Sequence, residues 1–437
     1  MKTPSLQAAL LSTLTLLTPS NAKTIEADPS PGCLNSISHE TLAEISTKLE
    51  NHPIKVTLPP TYDAKKPAPL ILVYNDRDVT LENMVQVTAF SDGKVNKDAV
   101  VVYLAPLPGN PWLSDANFPN PNDTPLPPNT DLEWTSALLT HLTASYCIDK
   151  RKIHASGIGT GGGMLSLLAC HPTLSTQISS FAAISAAFYN EQAPSSPWAE
   201  ANCNPGRRPI PLMEIHGNRD TRWGYWPPGV EGEIQGLGPV GWLDLWKERQ
   251  VCGDKVGEPG PAAFSNATYI SKLEHGRVSE GVEFGGGAVR VAYRCHVDGG
   301  SGEVEKKDED MRDVSSLTLL HYSLRDVGYG WPRLYLKAEP KIKVNGHEAY
   351  PPGDIYFDAT KLVLGWFETH PLPGREELAR QAKELRDENY AKVRMEGEEA
   401  AKAMMTDAPR PKGSEKVEGE MNRKKAEGGS DRWKDEL

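Results

Sequence analysis

The sequence contains no CxxC pair, no HExxH and no grouped set of His and carboxylate residues at metal-ligand spacing. Neither thioredoxin-like exchange nor a metal-activated water is written into it, and no metal or other cofactor is expected. It also lacks a basic stretch. Lys and Arg number 47 against 58 Asp and Glu, for a formal charge of −11, which argues against nucleic acid or an anionic membrane as partner. Long apolar runs are missing too: Ala8–Leu17 is too short to span a bilayer, and no membrane span is expected elsewhere. No internal repeat is visible.

Loop formers, by contrast, are plentiful, with 38 Gly and 36 Pro in 437 residues. That length buries a sizeable core in one large or two medium domains. The chain opens MKTPSLQAALLSTLTLLTPSNA, a basic start, a short apolar run and the small pair Ser20/Ala22. This pattern predicts a signal peptide over residues 1–22. The last four residues, Lys434, Asp435, Glu436 and Leu437, spell the retrieval signal read by the KDEL receptor. Together the two ends predict a protein of the endoplasmic reticulum lumen, with free secretion as the alternative. Cys33, Cys147, Cys170, Cys203, Cys252 and Cys295 form an even set suited to an oxidising compartment. Three disulfides are expected, with 15 connectivities open. Asn122 and Asn266 head glycosylation sequons.

Apolar runs without strict alternation recur between helical patterns from Pro69 onward. Strands are expected at Pro69–Asp76, Ala99–Pro106, "KIHASG", Phe181–Phe188, Ile210–Gly217 and Ser316–Leu324. Helices are expected over Asp131–Ser145, from about Met164, and over Ala359–Thr369. Such strands belong to a mostly parallel sheet covered on both faces, a three-layer α/β sandwich. This domain is placed at residues 23–372. A charged helix follows over 373–405, resting on the domain through Leu378 and Leu385, and then a disordered tail over 406–437.

Between the "KIHAS" strand and the next helix lies "GIGTGGG", Gly157–Gly163. Read literally it satisfies the dinucleotide fingerprint G-x-G-x-x-G. The acidic residue expected about twenty positions on is missing, because the chain there reads "QISSFAAISAA". Read as the nucleophile elbow G-x-S-x-G, Gly157 and Gly161 hold the two glycine positions and Gly159 stands where the serine should be.

Around this loop the chain resembles the fungal feruloyl esterases, which release hydroxycinnamic acids from plant cell-wall xylan and are related to acetyl xylan esterases and polyhydroxyalkanoate depolymerases. The stretches that carry the resemblance include "LPPTYD", "PLILVYNDRD", "VVVYLAP", "CNPGRRPIPLMEIHGNRDTRWGY" and "HYSLRDVGYGWPR", together with the loop and its flanks. The resemblance implies an α/β-hydrolase fold, carboxylic ester hydrolysis and a Ser-His-Asp triad. Carried over by position, the acid is Asp220 of "HGNRD", the nucleophile position is Gly159 and the base position is Tyr329 of "GYGWP". The backbone N–H of Thr160 takes the oxyanion-donor position, and Asn75-Asp76 stands where the family has His-Gly near the oxyanion hole, which implies a ligand contact for Asn75.

Without an oxygen nucleophile and an imidazole, serine-esterase chemistry falls on the order of 10⁶-fold. Ordinary esterase activity is therefore expected to be absent. Loss of the serine also relaxes the turn, since glycine adopts the elbow backbone without penalty. Ser156 and the Thr160 hydroxyl are the neighbouring oxygens; Ser156 is expected to face the sheet. His154, His216 and His321 are expected to pack within strands or support the site from behind, while His275, His296 and His347 lie in loops. Trp223, Trp226 and Trp331 flank the acid and base positions and are expected to stack on an aromatic ester or polysaccharide ligand. A working hydrolase with another nucleophile, and a binding protein of the lumen, are the alternatives.

Overall fold

A computed structural model describes residues 26–34, 52–107, 112–114, 130–188, 203–225, 238–250, 252, 288–293, 295, 317–333, 343–344, 347–348 and 357–406. The chain divides into two compact units, Met1–Leu385 and Arg386–Leu437. The predicted signal peptide, both sequons, Trp226, His275, His296 and the last four residues lie outside the described residues.

In the first unit a sheet of eight strands runs in the order β1-β3-β2-β4-β5-β6-β8-β7. The strands are β1 (Ile54–Thr57), β2 (Ala68–Tyr74), β3 (Val100–Leu104), β4 (Ile148–Gly159), β5 (Ser180–Ala186), β6 (Leu212–Gly217), β7 (Ala288–Tyr293) and β8 (Leu319–Leu324). Neighbours from β3 to β8 pair in parallel, and antiparallel β1 and β7 close the two edges.

The apolar runs are continuous because both faces are covered. In β2, Leu70, Leu72 and Tyr74 pack into one core, while Ile71 and Val73 pack into the other. Helices α2 (Thr130–Ser145), α3 (Thr160–Cys170) and α4 (Gly238–Arg249) cover the first face through Leu138, Leu142, Met164, Leu168, Trp242 and Trp246. The second face is covered by α1 (Leu81–Thr88) and α5 (Ala359–Thr369) through Met84, Val87, Val363 and Trp366. Thr80 and Asp358 cap these two helices by accepting the backbone N–H groups of Asn83 and Lys361. This three-layer arrangement, with a sharp turn from the central strand β4 into α3, is the α/β-hydrolase fold.

All six cysteines are paired, as Cys33–Cys147, Cys170–Cys203 and Cys252–Cys295. The sequence places a helix from about Met164; the structure starts α3 at Thr160, four residues earlier. The intervening glycines look like helix breakers but are small for packing. A Cβ on Gly161 would run into the backbone of Tyr74 and Asn75. The charged helix α6 runs from Arg375 to Thr406. Within the first unit it buries Leu385 and leaves Leu378 half-buried, and Arg380 pairs with Glu377 and Glu384 on its outer face. No helix among the described residues is long and apolar enough to cross a membrane.

Candidate functional site

Four parallel strands deliver the candidate residues to the carboxyl edge of the sheet, where ligand sites of open α/β sheets form. β2 leads into Asn75-Asp76, β4 into Gly159-Thr160, β6 into the Gly217–Asp220 turn, and β8 toward Tyr329.

Gly159 keeps the elbow conformation, with φ 57° and ψ −125°. A side chain in this region is strained, and here it also has no room. A Cβ on Gly159 would stand 2.5 Å from Asp76 Oδ2 and 2.8 Å from Oδ1. The Asp76 carboxylate, fully buried, occupies the space into which a side chain at position 159 would project.

That carboxylate is surrounded by donors. The backbone N–H of Thr160 reaches Oδ1 at 3.2 Å and the Thr160 hydroxyl at 2.9 Å. The backbone N–H of Arg77 donates to the same oxygen at 2.9 Å. Oδ2 accepts from the Tyr329 hydroxyl at 2.6 Å and pairs with Arg222 Nη2 at 3.1 Å. The Arg222 guanidinium also pairs with Asp78 and lies over the rings of Trp223 and Tyr329, 5.2 and 5.0 Å from their centroids. The first turn of α3 has no side-chain cap of its own. Asp76 supplies the missing acceptor from a neighbouring strand, at the end of the helix that favours an anion.

Tyr329 cannot act as a base in this setting. Burial first, then the Asp76 carboxylate, push its hydroxyl well above the usual tyrosine value near 10. It is a donor locked onto a carboxylate.

Asp220, at the acid position, is engaged elsewhere. Its Oδ1 accepts the backbone N–H groups of Arg222 and Trp223 at 2.8 and 2.9 Å, and its Oδ2 lies 3.2 Å from His216 Nε2. Behind it runs a chain of buried polar groups. His216 Nδ1 meets Glu214 Oε1 at 2.8 Å, His321 Nδ1 meets Glu214 Oε2 at 2.7 Å, and the Tyr225 hydroxyl meets His321 Nε2 at 2.8 Å. Both His216 nitrogens face acceptors, since Nε2 also reaches the Trp223 carbonyl at 2.9 Å. Two donors are then required, so the ring is an imidazolium. Burial alone would lower its pKa, but Glu214 and Asp220 outweigh burial and raise it to about 10. Burial would raise Glu214, yet the charge and hydrogen bonds of the two histidines bring it below the ordinary carboxylate value.

The remaining expected residues fall as follows. Ser156 faces the sheet, its hydroxyl donating to the Ala182 carbonyl at 2.8 Å. His154 packs against Phe367 and bonds Ser180. Three expected ligand contacts need correction. Asn75 is fully buried and donates to the Val79 carbonyl, holding the loop after β2 in place. Trp331 is 1% exposed, bonded to Thr360 and set edge-on against Phe90, so it belongs to the core. Trp223 is buried as well, with the guanidiniums of Arg222 and Arg77 over its ring. Reading the sequence did not single out Asp76 as the occupant, nor Arg222 or Glu214.

A cavity of about 590 Å³ lies at the other end of the sheet, against the start of β4, and is lined by Thr140, Lys150, Arg151, Gln177, Arg375 and Leu378 among others. None of the expected site residues lines it. No group of His, Cys, Asp and Glu that would hold a metal is present among the described residues.

No family model matches the chain. The chain is similar to probable feruloyl esterase C of Aspergillus niger, 25% identical over 209 residues, which is 47% of this chain and 67% of that one. Solved structures overlap more loosely. An acetyl xylan esterase from Aspergillus awamori is 11% identical with a TM-score of 0.40, covering 73% of this chain and 94% of its own. An S-formylglutathione hydrolase from Agrobacterium tumefaciens is 13% identical with a TM-score of 0.33, covering 45% and 77%. Strand order and the sharp turn from β4 into α3 define the fold. The chain is thus carboxylic-ester-hydrolase-like, and its three disulfides fit the secretory pathway or the extracellular space.

Proposed function

We propose that this chain is a non-catalytic relative of the feruloyl esterases, kept for its fold and for binding in the lumen of the secretory pathway. One observation carries the reading: position 159 has no nucleophile, and a buried carboxylate fills the space beside it. The other parts agree. Tyr329 holds its proton, the Thr160 hydroxyl is committed to Asp76, Ser156 is committed to a sheet carbonyl, and Asp220 orients His216 instead of a base at the elbow. Residence in the endoplasmic reticulum through Lys434–Leu437, and glycans on Asn122 and Asn266, are part of the same proposal and are supported by sequence pattern alone. The ligand class that the relatives suggest is a small aromatic ester or a polysaccharide bearing one.

The test is turnover by the purified protein on methyl ferulate and p-nitrophenyl acetate, with a fluorophosphonate to trap any activated hydroxyl. Hydrolysis at the rate of buffer and no labelling are expected. Turnover at the rates of ordinary enzymes, on the order of 1 s⁻¹ or faster, would overturn the proposal. Mapping the label to Thr160 or Ser156 would then identify the working nucleophile.

A further inference from the structure

We propose that the oxyanion position of this elbow is a carboxylate-binding site that the chain keeps filled with its own Asp76. Asp76, as much as the missing serine, closes the elbow. The proposal rests on reading Gly159 as the vacated nucleophile position, but it is tested by stability rather than turnover.

Stabilisation of a tetrahedral oxyanion requires two backbone N–H groups, one from the residue after the nucleophile and one from the loop after a neighbouring strand. Here those groups are the N–H of Thr160 and the N–H of Arg77, and both point at a single atom, Asp76 Oδ1. The second oxygen meets one hydroxyl donor and one guanidinium, from Tyr329 and Arg222. Neither of these last two comes from the helix start or from the loop of Asp76 itself. Both are aimed at where a ligand's second oxygen would be. Tyr329 is buried, and the Arg222 side chain is 17% exposed. A planar carboxylate with two acceptor oxygens fits this donor set; a halide offers one centre and cannot meet both pairs.

The arrangement also explains why serine cannot simply be restored. Any Cβ at position 159 meets the occupant, so the two positions are coupled sterically as well as chemically. Asp76 must leave before a nucleophile can return.

Two experiments test this. In the first, thermal unfolding of Asp76→Ala is followed with sodium formate, sodium acetate and sodium chloride at equal ionic strength. The variant is expected to melt below wild type and to recover saturably with formate, less with the bulkier acetate and not with chloride, while wild type responds to none. Equal responses to formate and chloride, or an unchanged melting temperature, would overturn the proposal. Should Asp76→Ala not accumulate as folded protein, Asp76→Asn keeps the volume: it is expected to be destabilised yet blind to formate, and a formate response there also counts against the proposal. In the second, Gly159→Ala is introduced with Asp76 present and in an Asp76→Gly background. The backbone strain at 159 is common to both and cancels in the cycle. The folding constant is expected to fall at least ten-fold more when Asp76 is present. Equal losses would show that the carboxylate does not occupy the place of the side chain.

Discussion

Two buried charge clusters lie side by side at the carboxyl edge of the sheet, and they are built on different plans. At the elbow, donors from four segments converge on one acceptor group, Asp76, and the counter-charge Arg222 retains an edge to solvent at 17% exposure. Behind Asp220, on β6 and β8, acceptors and donors alternate along a line, and Glu214, His216 and His321 are at most 1% exposed. The convergent cluster has redundancy: Asp76 keeps other donors when one is removed. The linear cluster has less: Glu214 alone joins the two histidines, one on each of its oxygens, and its loss leaves His216 only the more distant Asp220 as counter-charge. Loss of a member should therefore be far more damaging behind the acid than at the elbow.

The sharpest way to break this contrast is to compare Glu214→Ala with Arg222→Ala. Removing Glu214 leaves the His216 imidazolium buried without its nearest counter-ion. Breaking a buried pair in this way costs about 3–5 kcal/mol, enough to unfold a marginal domain. Removing Arg222 leaves Asp76 held by Tyr329, Thr160 and the Arg77 amide, and should cost about 1–3 kcal/mol. Urea denaturation midpoints of the two variants measure the difference. Equal losses, or a larger loss for Arg222→Ala, would mean that the elbow cluster is no more redundant than the strand cluster.

A smaller and graded effect follows from protonation. His216 has a folded pKa of about 10 against an ordinary value of 6.5. Below pH 6.5 both folded and unfolded chains hold the proton, and the contribution to stability is complete. Between 6.5 and 10 the folded state holds more protons than the unfolded one, so stability falls as pH rises. Denaturation midpoints should decline steadily from pH 6.5 to 9, and the decline should be shallower in Glu214→Gln, where the largest counter-charge is gone. A flat profile in wild type would place a neutral imidazole at 216 and undo the charge assignment of the strand cluster.

The two clusters were also unequally legible. The elbow backbone is plain in "GIGTGGG", because glycine spacing reports a turn that needs positive φ and close approach, and both requirements are local. Gly159 and Tyr329 stand out against the pattern of the feruloyl esterases for the same local reason. The occupant does not. Asp76 is 83 residues before Gly159 in the chain, and only the parallel pairing of β2 with β4 brings them together. Arg222 sits between Asp220 and Trp223 but belongs to no motif that would mark it. The strand cluster left one usable signal: "LMEIH" puts a glutamate and a histidine on the same face of an otherwise apolar strand, an expensive arrangement unless paired. The third member, His321, depends on the β6–β8 register that sets it opposite Glu214, and a single sequence does not carry that register. Trp223 and Trp331 depart from expectation for another reason. Nearness in sequence to the acid and base positions does not place a ring in a cleft: Trp331 turns inward to Thr360.

The most modest change sharpens the elbow's redundancy directly. Tyr329→Phe deletes one hydroxyl and keeps the ring over which Arg222 lies, so packing and the cation–π contact remain. Asp76 Oδ2 loses the Tyr329 bond at 2.6 Å but keeps Arg222 at 3.1 Å, while all three donors to Oδ1 are untouched. One charge-assisted hydrogen bond with its acceptor still partnered is worth about 1–2 kcal/mol. A loss of that size in urea denaturation fits a convergent cluster in which the tyrosine is one donor among several. A loss as large as that of Glu214→Ala would mean that the tyrosine fixes the carboxylate by itself. Tyr329 would then be the residue that holds Asp76 in the elbow, with Arg222 and the Oδ1 donors secondary.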